Sequence, residues 1–262
     1  MAAYWRDVYA GDGLQALIYR ERLRAVLSWV DDLRLPPGSR VLEVGCGAGL
    51  ATVELARRGF AVEATDSSAE MVELATHQLA KAGFGGSVTI GLADVHALPY
   101  PSGSFTLALA LGVLPWLHTP QGAVDELARV LAPGGHLIVT ADNRHRLNML
   151  VEPVENPLVV PLKYSRRAVK RLRGRRSPGY LSRLHTPSQV DRFVTAAGLE
   201  PLRRTTIGFG PFTVMGRAVL GDRFGLVLHR LLERLAATAV PQLRRTAWHH
   251  IVAARKPGTG SL

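Results

Sequence analysis

The sequence predicts an α/β protein built on a mostly parallel sheet of seven strands flanked by helices. Three observations predict it. Between residues 40 and 142, short apolar runs ending in turn residues alternate with helix-length amphipathic stretches, the order expected of βαβ units. The runs TLALALGVL and HLIVTA lack in/out alternation, as expected of strands buried on both faces. The chain of 262 residues, 47% of them hydrophobic, is long enough to bury roughly 70–75% of its unfolded surface without a staple.

Taken in order, residues 14–33 carry apolar positions at helical spacing, and Pro36, Pro37 and Gly38 end that segment. RVLEVGCGAG is a strand running into glycines, and LATVELARR is a helix stopped by Gly59. FAVEATD is a second strand, and SAEMVELATHQLAKAG is a helix closed by Gly83. SVTIGLAD and SFTLALALGVL are the third and fourth strands. QGAVDELARVLAPGG reads as a helix closed by Pro-Gly-Gly, with HLIVTADN as a fifth strand. From residue 143 to 185 the texture turns basic and proline-rich. TPSQVDRFVTAAGLEP then reads as a helix with Thr186 or Ser188 as cap and Gly198 as stop. A strand in RRTTIGFGPFTV, an amphipathic helix over 224–237 and a last strand in TAWHHIVAARK complete the pattern. The organisation is therefore a lid helix and Rossmann-like core over 1–142, a variable basic segment over 143–185, and the rest of the core with a helical insertion over 186–262.

The central motif is Glu43-Val44-Gly45-Cys46-Gly47-Ala48-Gly49, between a strand and a helix. Its glycines let the backbone turn tightly and approach a ligand. A GxGxxG phosphate loop would place its third glycine at 50, where Leu50 stands. Glu43 would repel a pyrophosphate but suits an ammonium or sulfonium. Asp66 ends the second strand, where a carboxylate can accept from both hydroxyls of a ribose. Asp94 ends the third strand and could accept from an adenine amine. Three acids at successive strand ends beside a glycine loop form one row of acceptors.

On VLEVGCGAG, VEATDSSAEMVELA, ADVHALPYPSGSFTLAL and ARVLAPGGHLIV, residues 40–142 resemble a class I S-adenosylmethionine-dependent methyltransferase of the small-molecule, quinone or natural-product kind. The resemblance implies S-adenosylmethionine as cofactor. It implies Gly45, Gly47 and Gly49 along the methionine part, Asp66 and Ser67 at the ribose, Asp94 and Val95 at the adenine, and Leu111–Gly112 near the amino group. It also implies a lid in which Tyr19 lies near the methionine carboxylate and Arg22 pairs with it. Thr106 and Pro115-Trp116 stand where such enzymes often carry Asp and His-His. The second departure reshapes the wall facing the substrate, so substrate identity does not carry over.

Methyl transfer to a hydroxyl needs an aligned nucleophile and a proton acceptor. The candidates are His185, His145, His118 and Asp142, with His185 first because it stands where the variable segment rejoins the core; His249 and His250 read as structural. No metal is called for. The net charge of +11 is uneven: Lys163, Arg166, Arg167, Lys170, Arg171, Arg173, Arg175 and Arg176 crowd one stretch free of acids. Beside the apolar MLVEPVENPLVVPL, that stretch points to a small or medium amphipathic, lipid-like acceptor, anionic or carrier-bound, with peripheral contact to an anionic membrane as a further reading. The expected reaction is methylation of an oxygen, ahead of carbon or nitrogen. RNA methylation and a non-methylating, cyclase-like use of the cofactor are the alternatives. The arginines lack interleaved aromatics apart from Tyr164, which weighs against nucleic acid. The single cysteine, Cys46, excludes an internal disulfide or paired-cysteine zinc site. With no apolar run of membrane-spanning length and no secretory h-region, the expected location is cytoplasmic.

Overall fold

The structure is a computed structural model that describes residues 11–86, 88–148, 183–214 and 217–258. The basic stretch 163–176 and the apolar stretch MLVEPVENPLVVPL before it lie outside the described residues. The described chain runs α1 (Leu14–Asp32), β1 (Arg40–Val44), α2 (Leu50–Arg57), β2 (Ala61–Asp66), α3 (Ala69–Lys81), β3 (Thr89–Leu92) and β4 (Phe105–Leu111). A 3-10 turn, Leu114–Trp116, leads to α4 (Pro120–Val130) and β5 (Leu131–Asp142). After the segment left undescribed come α5 (Pro187–Ala196), β6 (Glu200–Ile207), the short β7 (Thr213–Val214) and β8 (Arg217–Ala218), α6 (Asp222–Thr238), a 3-10 turn Pro241–Thr246 and β9 (His249–Arg255).

Seven strands form one sheet in the order β3-β2-β1-β4-β5-β9-β6. All pair in parallel except β9, which is antiparallel to both neighbours. The mostly parallel, Rossmann-like expectation holds.

The unalternating strands are apolar because both faces are covered. On β4, Ala108 and Ala110 pack with α4 and α5, while Leu107 and Leu109 pack with α1 and α2 on the other face. One expectation is corrected. The fourth helix stops at Val130, and the Leu-Ala-Pro-Gly-Gly run enters β5 instead of closing the helix. Leu131 pairs with Phe105, and a register shift then sets His136 opposite Leu107.

The chain leaves β1 outward to β2 and β3, then returns to β4 on the other side of β1. The loops after β1 and β4 therefore diverge. This switch point opens a crevice at the carboxyl ends of the strands, where open α/β sheets bind ligands.

Candidate active site

A cavity of about 590 Å³ occupies that crevice, within the range of small-molecule sites. It is lined by Glu43–Ala48 at the end of β1 and the loop after it, Thr65–Ser68 at the end of β2 and beyond, Ala93–Val95 after β3, and Leu111–Val113 at the end of β4 and beyond. Arg22 of α1, Met71 of α3 and Trp116 close its sides. Glu43, Gly45, Gly47, Asp66, Ser67, Asp94, Val95 and Leu111 are thus brought to one wall system.

Gly47 sits at φ +53 with nothing within 4 Å of where a Cβ would stand, so the backbone there is bare toward open space. Gly49 is not on the cavity wall. It caps α2 at φ +76, and a Cβ would stand 3.2 Å from the Cα of Ala75, so its smallness seats α2 against α3.

Asp66 holds the loop from the next strand. One carboxylate oxygen accepts from the Gly47 N–H at 3.0 Å and the other from the Ser68 N–H at 3.0 Å. A carboxylate has about four acceptor sites, so capacity remains for ligand hydroxyls. Asp94 is mostly exposed, and one oxygen takes both the backbone N–H and Nδ1 of His96, at 3.0 and 2.8 Å. Those hydrogen bonds hold its carboxyl below the usual range.

Glu43 is 2% exposed, and the Thr52 hydroxyl donates to it at 2.6 Å. Burial, with the Asp66 carboxylate adding to it, pushes its pKa up to about 7 despite Thr52. Burial and the same two carboxylates keep the Cys46 thiol protonated.

Tyr19 is buried against the stacked rings of Trp248 and His249, with ring centroids at 5.7 and 5.3 Å, and does not reach the cavity wall. Arg22, one turn on, does: its guanidinium lies 4.8 Å from the Tyr19 ring centre and beside Gly112.

The three ranked histidines are placed elsewhere. His118 and His145 are exposed and off the cavity wall. His118 lies 3.2 Å from an Arg183 nitrogen. His185 is buried edge-on to Phe193, bridged to Asn143. Burial lowers its pKa despite a backbone hydrogen bond at Leu114.

A different histidine meets Asp142, the fourth candidate. His249, opposite Asp142 where β9 pairs with β5, is wholly buried with Nδ1 3.2 Å from the Asp142 Oδ1. That approach is close enough for attraction but bent from a well-directed hydrogen bond, and Nε2 has no partner among the described residues. Burial lowers the His249 pKa to about 4, with Arg22 adding to the effect and Asp142 opposing it. Burial raises Asp142, but His249, Arg146 and Arg22 outweigh it and keep it ionised. His249, which the sequence marks as structural, is wholly buried and does not line the cavity; what strand alternation cannot show is that β9 is antiparallel. That direction brings its first residue to the edge where β5 ends.

The fold, the glycine loop and the acceptor row are those of class I S-adenosylmethionine-dependent methyltransferases. Residues 42–139 match the family model described as a methyltransferase domain. The chain is 27% identical over 187 residues to a ubiquinone biosynthesis O-methyltransferase of Azoarcus sp. (strain BH72), covering 71% of this chain and 75% of that one. It is 33% identical over 137 residues to methyltransferase GfsG of Streptomyces halstedii, 52% of this chain and 48% of that one. In fold it is similar to magnesium protoporphyrin IX methyltransferase from Synechocystis PCC 6803, solved with bound SAH, with a TM-score of 0.61, 18% identity, and 96% and 92% of the two chains covered. The cofactor is S-adenosylmethionine. The bare backbone at Gly47, the carboxylates of Glu43 and Asp66 and the buried guanidinium of Arg22 are a donor and acceptor set that fits a cationic nucleoside with an amino-acid tail.

Proposed function

We propose that the protein methylates an oxygen of a small or medium amphipathic, lipid-like molecule. When bound, S-adenosylmethionine supplies a methyl group on a sulfonium, an electrophile that an aligned oxygen can attack. Asp66 fixes the glycine loop and accepts from the ribose, with Ser67 beside it. Asp94 and Val95 flank the base, and Arg22 meets the carboxylate of the amino-acid tail. Glu43 contributes negative charge beneath the cation. Trp116 and Leu117 form apolar wall that keeps water out.

The observation that carries oxygen as the acceptor is the Asp142–His249 pair. With the Nδ1 proton turned toward the carboxylate, which can only accept, Nε2 is left as a lone pair. An orphaned buried acceptor costs about 1–3 kcal/mol; neither residue of the pair lines the cavity and His249 is wholly buried, so an acceptor hydroxyl relieves that cost only where the wall beside Arg22 opens to admit it. Asp142 then stabilises the imidazolium that forms. The names of the quinone relatives support the same class of acceptor.

Transfer of labelled methyl is measured on a panel of prenylated catechols, hydroxybenzoates, carboxylic acids and mixed RNA. We expect product with a phenol or catechol, and a drop of about 10²–10⁴-fold in kcat for His249→Ala with cofactor affinity unchanged. Product only on RNA, or full turnover in that variant, refutes the reading. Binding of cofactor without turnover on any member would favour the cyclase-like alternative.

A further inference from the structure

Helix α6 is apolar on two sides. Its inner side buries Gly225, His229 and Ala236. On its outer side Phe224, Val227 and Leu231 are 73%, 64% and 50% exposed. At 3.6 residues per turn these three fall within a sector of about 60°, and Arg223, Arg230 and Arg234 fall in a sector of about 40° directly beside it. All three arginines are exposed. The helix's two acids project elsewhere. Glu233 accepts from the Gly208 N–H at 2.7 Å and meets Arg244 at 3.2 Å, and Asp222 faces Gly13 at the start of α1. Val219 and Val240, just beyond either end of the helix, are also 56% and 45% exposed.

We propose that this outer face of α6 docks the protein on an anionic lipid bilayer, with the helix lying in the plane of the headgroups. The pattern is that of an interfacial helix: a narrow apolar strip that sinks into the acyl boundary, and a row of guanidiniums along one flank to meet phosphates. The segregation of charge selects the partner. A neutral apolar partner has no use for three arginines beside the strip, and an anionic surface does. No helix among the described residues is long and apolar enough to cross a membrane, so the contact is peripheral.

The position of α6 gives the docking a use. His229 of α6 lies 2.9 Å from Glu21 of α1, the residue before Arg22, which lines the cavity. A bilayer on the outer face of α6 is therefore one helix diameter, roughly 10 Å, from α1 and its Arg22, near enough to supply a lipid-like acceptor to the site. This last link rests on the proposed function; the docking itself does not.

Co-sedimentation with phosphatidylglycerol–phosphatidylcholine vesicles and with pure phosphatidylcholine vesicles tests it, at low and at raised salt. We expect binding to the anionic vesicles that weakens with salt, and little to the neutral ones. The Phe224→Ser/Val227→Ser/Leu231→Ser variant loses at least tenfold in affinity, and the Arg223→Gln/Arg230→Gln/Arg234→Gln variant loses the preference for anionic lipid. Both keep wild-type melting and cofactor affinity. No vesicle binding by the wild type overturns the proposal. So does binding that survives both variants, which would move the contact elsewhere, or a dimer in sedimentation that the serine variant alone dissolves, which would make a second copy the occupant. Wild-type protein that binds vesicles but transfers no methyl group would defeat the proposed function and leave the docking standing.

Discussion

Asp66 and Glu43 sit one strand apart and do different work. Asp66 collects two loop N–H groups, so its removal leaves both without their acceptor and the glycine loop without its tether. Asp66→Ala should weaken cofactor binding about 10- to 100-fold, or about 1.4–2.7 kcal/mol, with an unchanged circular dichroism spectrum; unchanged affinity by calorimetry would remove Asp66 from the site. Glu43 is half ionised near pH 7 in the free protein. A cation in the cavity favours its ionised form, so binding should release protons and tighten as pH rises from about 5.5 toward 7, then level off. Calorimetry in buffers of different ionisation enthalpy reads the released protons. Glu43→Gln should abolish both the release and the slope. The acids were legible in the sequence because each stands at the end of an apolar run. The partners that tune them were not: Thr52 on Glu43 and the Gly47 N–H on Asp66 are contacts made only when strands and loops come together.

At the scale of elements, what was legible followed from local chemistry. α5 begins where Thr186 stands before Pro187, and the structure shows a full capping box: the Thr186 hydroxyl accepts from the Gln189 N–H and the Gln189 side chain accepts from the Thr186 N–H. Thr186→Ala should cost about 1 kcal/mol in urea denaturation and leave cofactor affinity as it is, since α5 packs on α4 behind the sheet. A loss well above 2 kcal/mol would mean that Thr186 holds more than the helix start. What was not legible depended on pairing across the sheet. Pro133-Gly134-Gly135 looks like a helix stop, yet Leu131 is already drawn into register with Phe105. His249 reads as one residue of an apolar strand until the antiparallel pairing sets it opposite Asp142. In both cases a long-range partner overrides a correct local signal.

For the whole molecule, the buried titratable groups pull stability in opposite directions with pH. His136, His185, His249 and His250 all have lowered pKa values, with desolvation as the main cause in each. The unfolded chain takes up protons near pH 6.5 that the native state refuses, so these groups remove stability as pH falls below that value. For His249 the loss reaches about 3 kcal/mol near pH 4. Glu43 acts with the reverse sign. Its native pKa is raised from 4.5 to about 7, so its contribution is complete below about 4.5 and is lost as pH rises through 7, again by about 3 kcal/mol. Between about 4.5 and 6.5 the two nearly offset one another, and the other three histidines set a shallow acid-side decline. Glu43→Gln removes the offset while keeping an acceptor for the Thr52 hydroxyl. The variant should be more stable than wild type at pH 8, by up to about 3 kcal/mol, and should lose stability more steeply toward pH 5. Urea denaturation at pH 5, 6.5 and 8 measures both. The same substitution that weakens cofactor binding would then stabilise the empty protein, the exchange expected where a buried charge is kept for its ligand rather than for the fold. No gain at pH 8 would mean that the Glu43 carboxylate is hydrated in the free protein, and the coupling of its proton to the cofactor would fall with it.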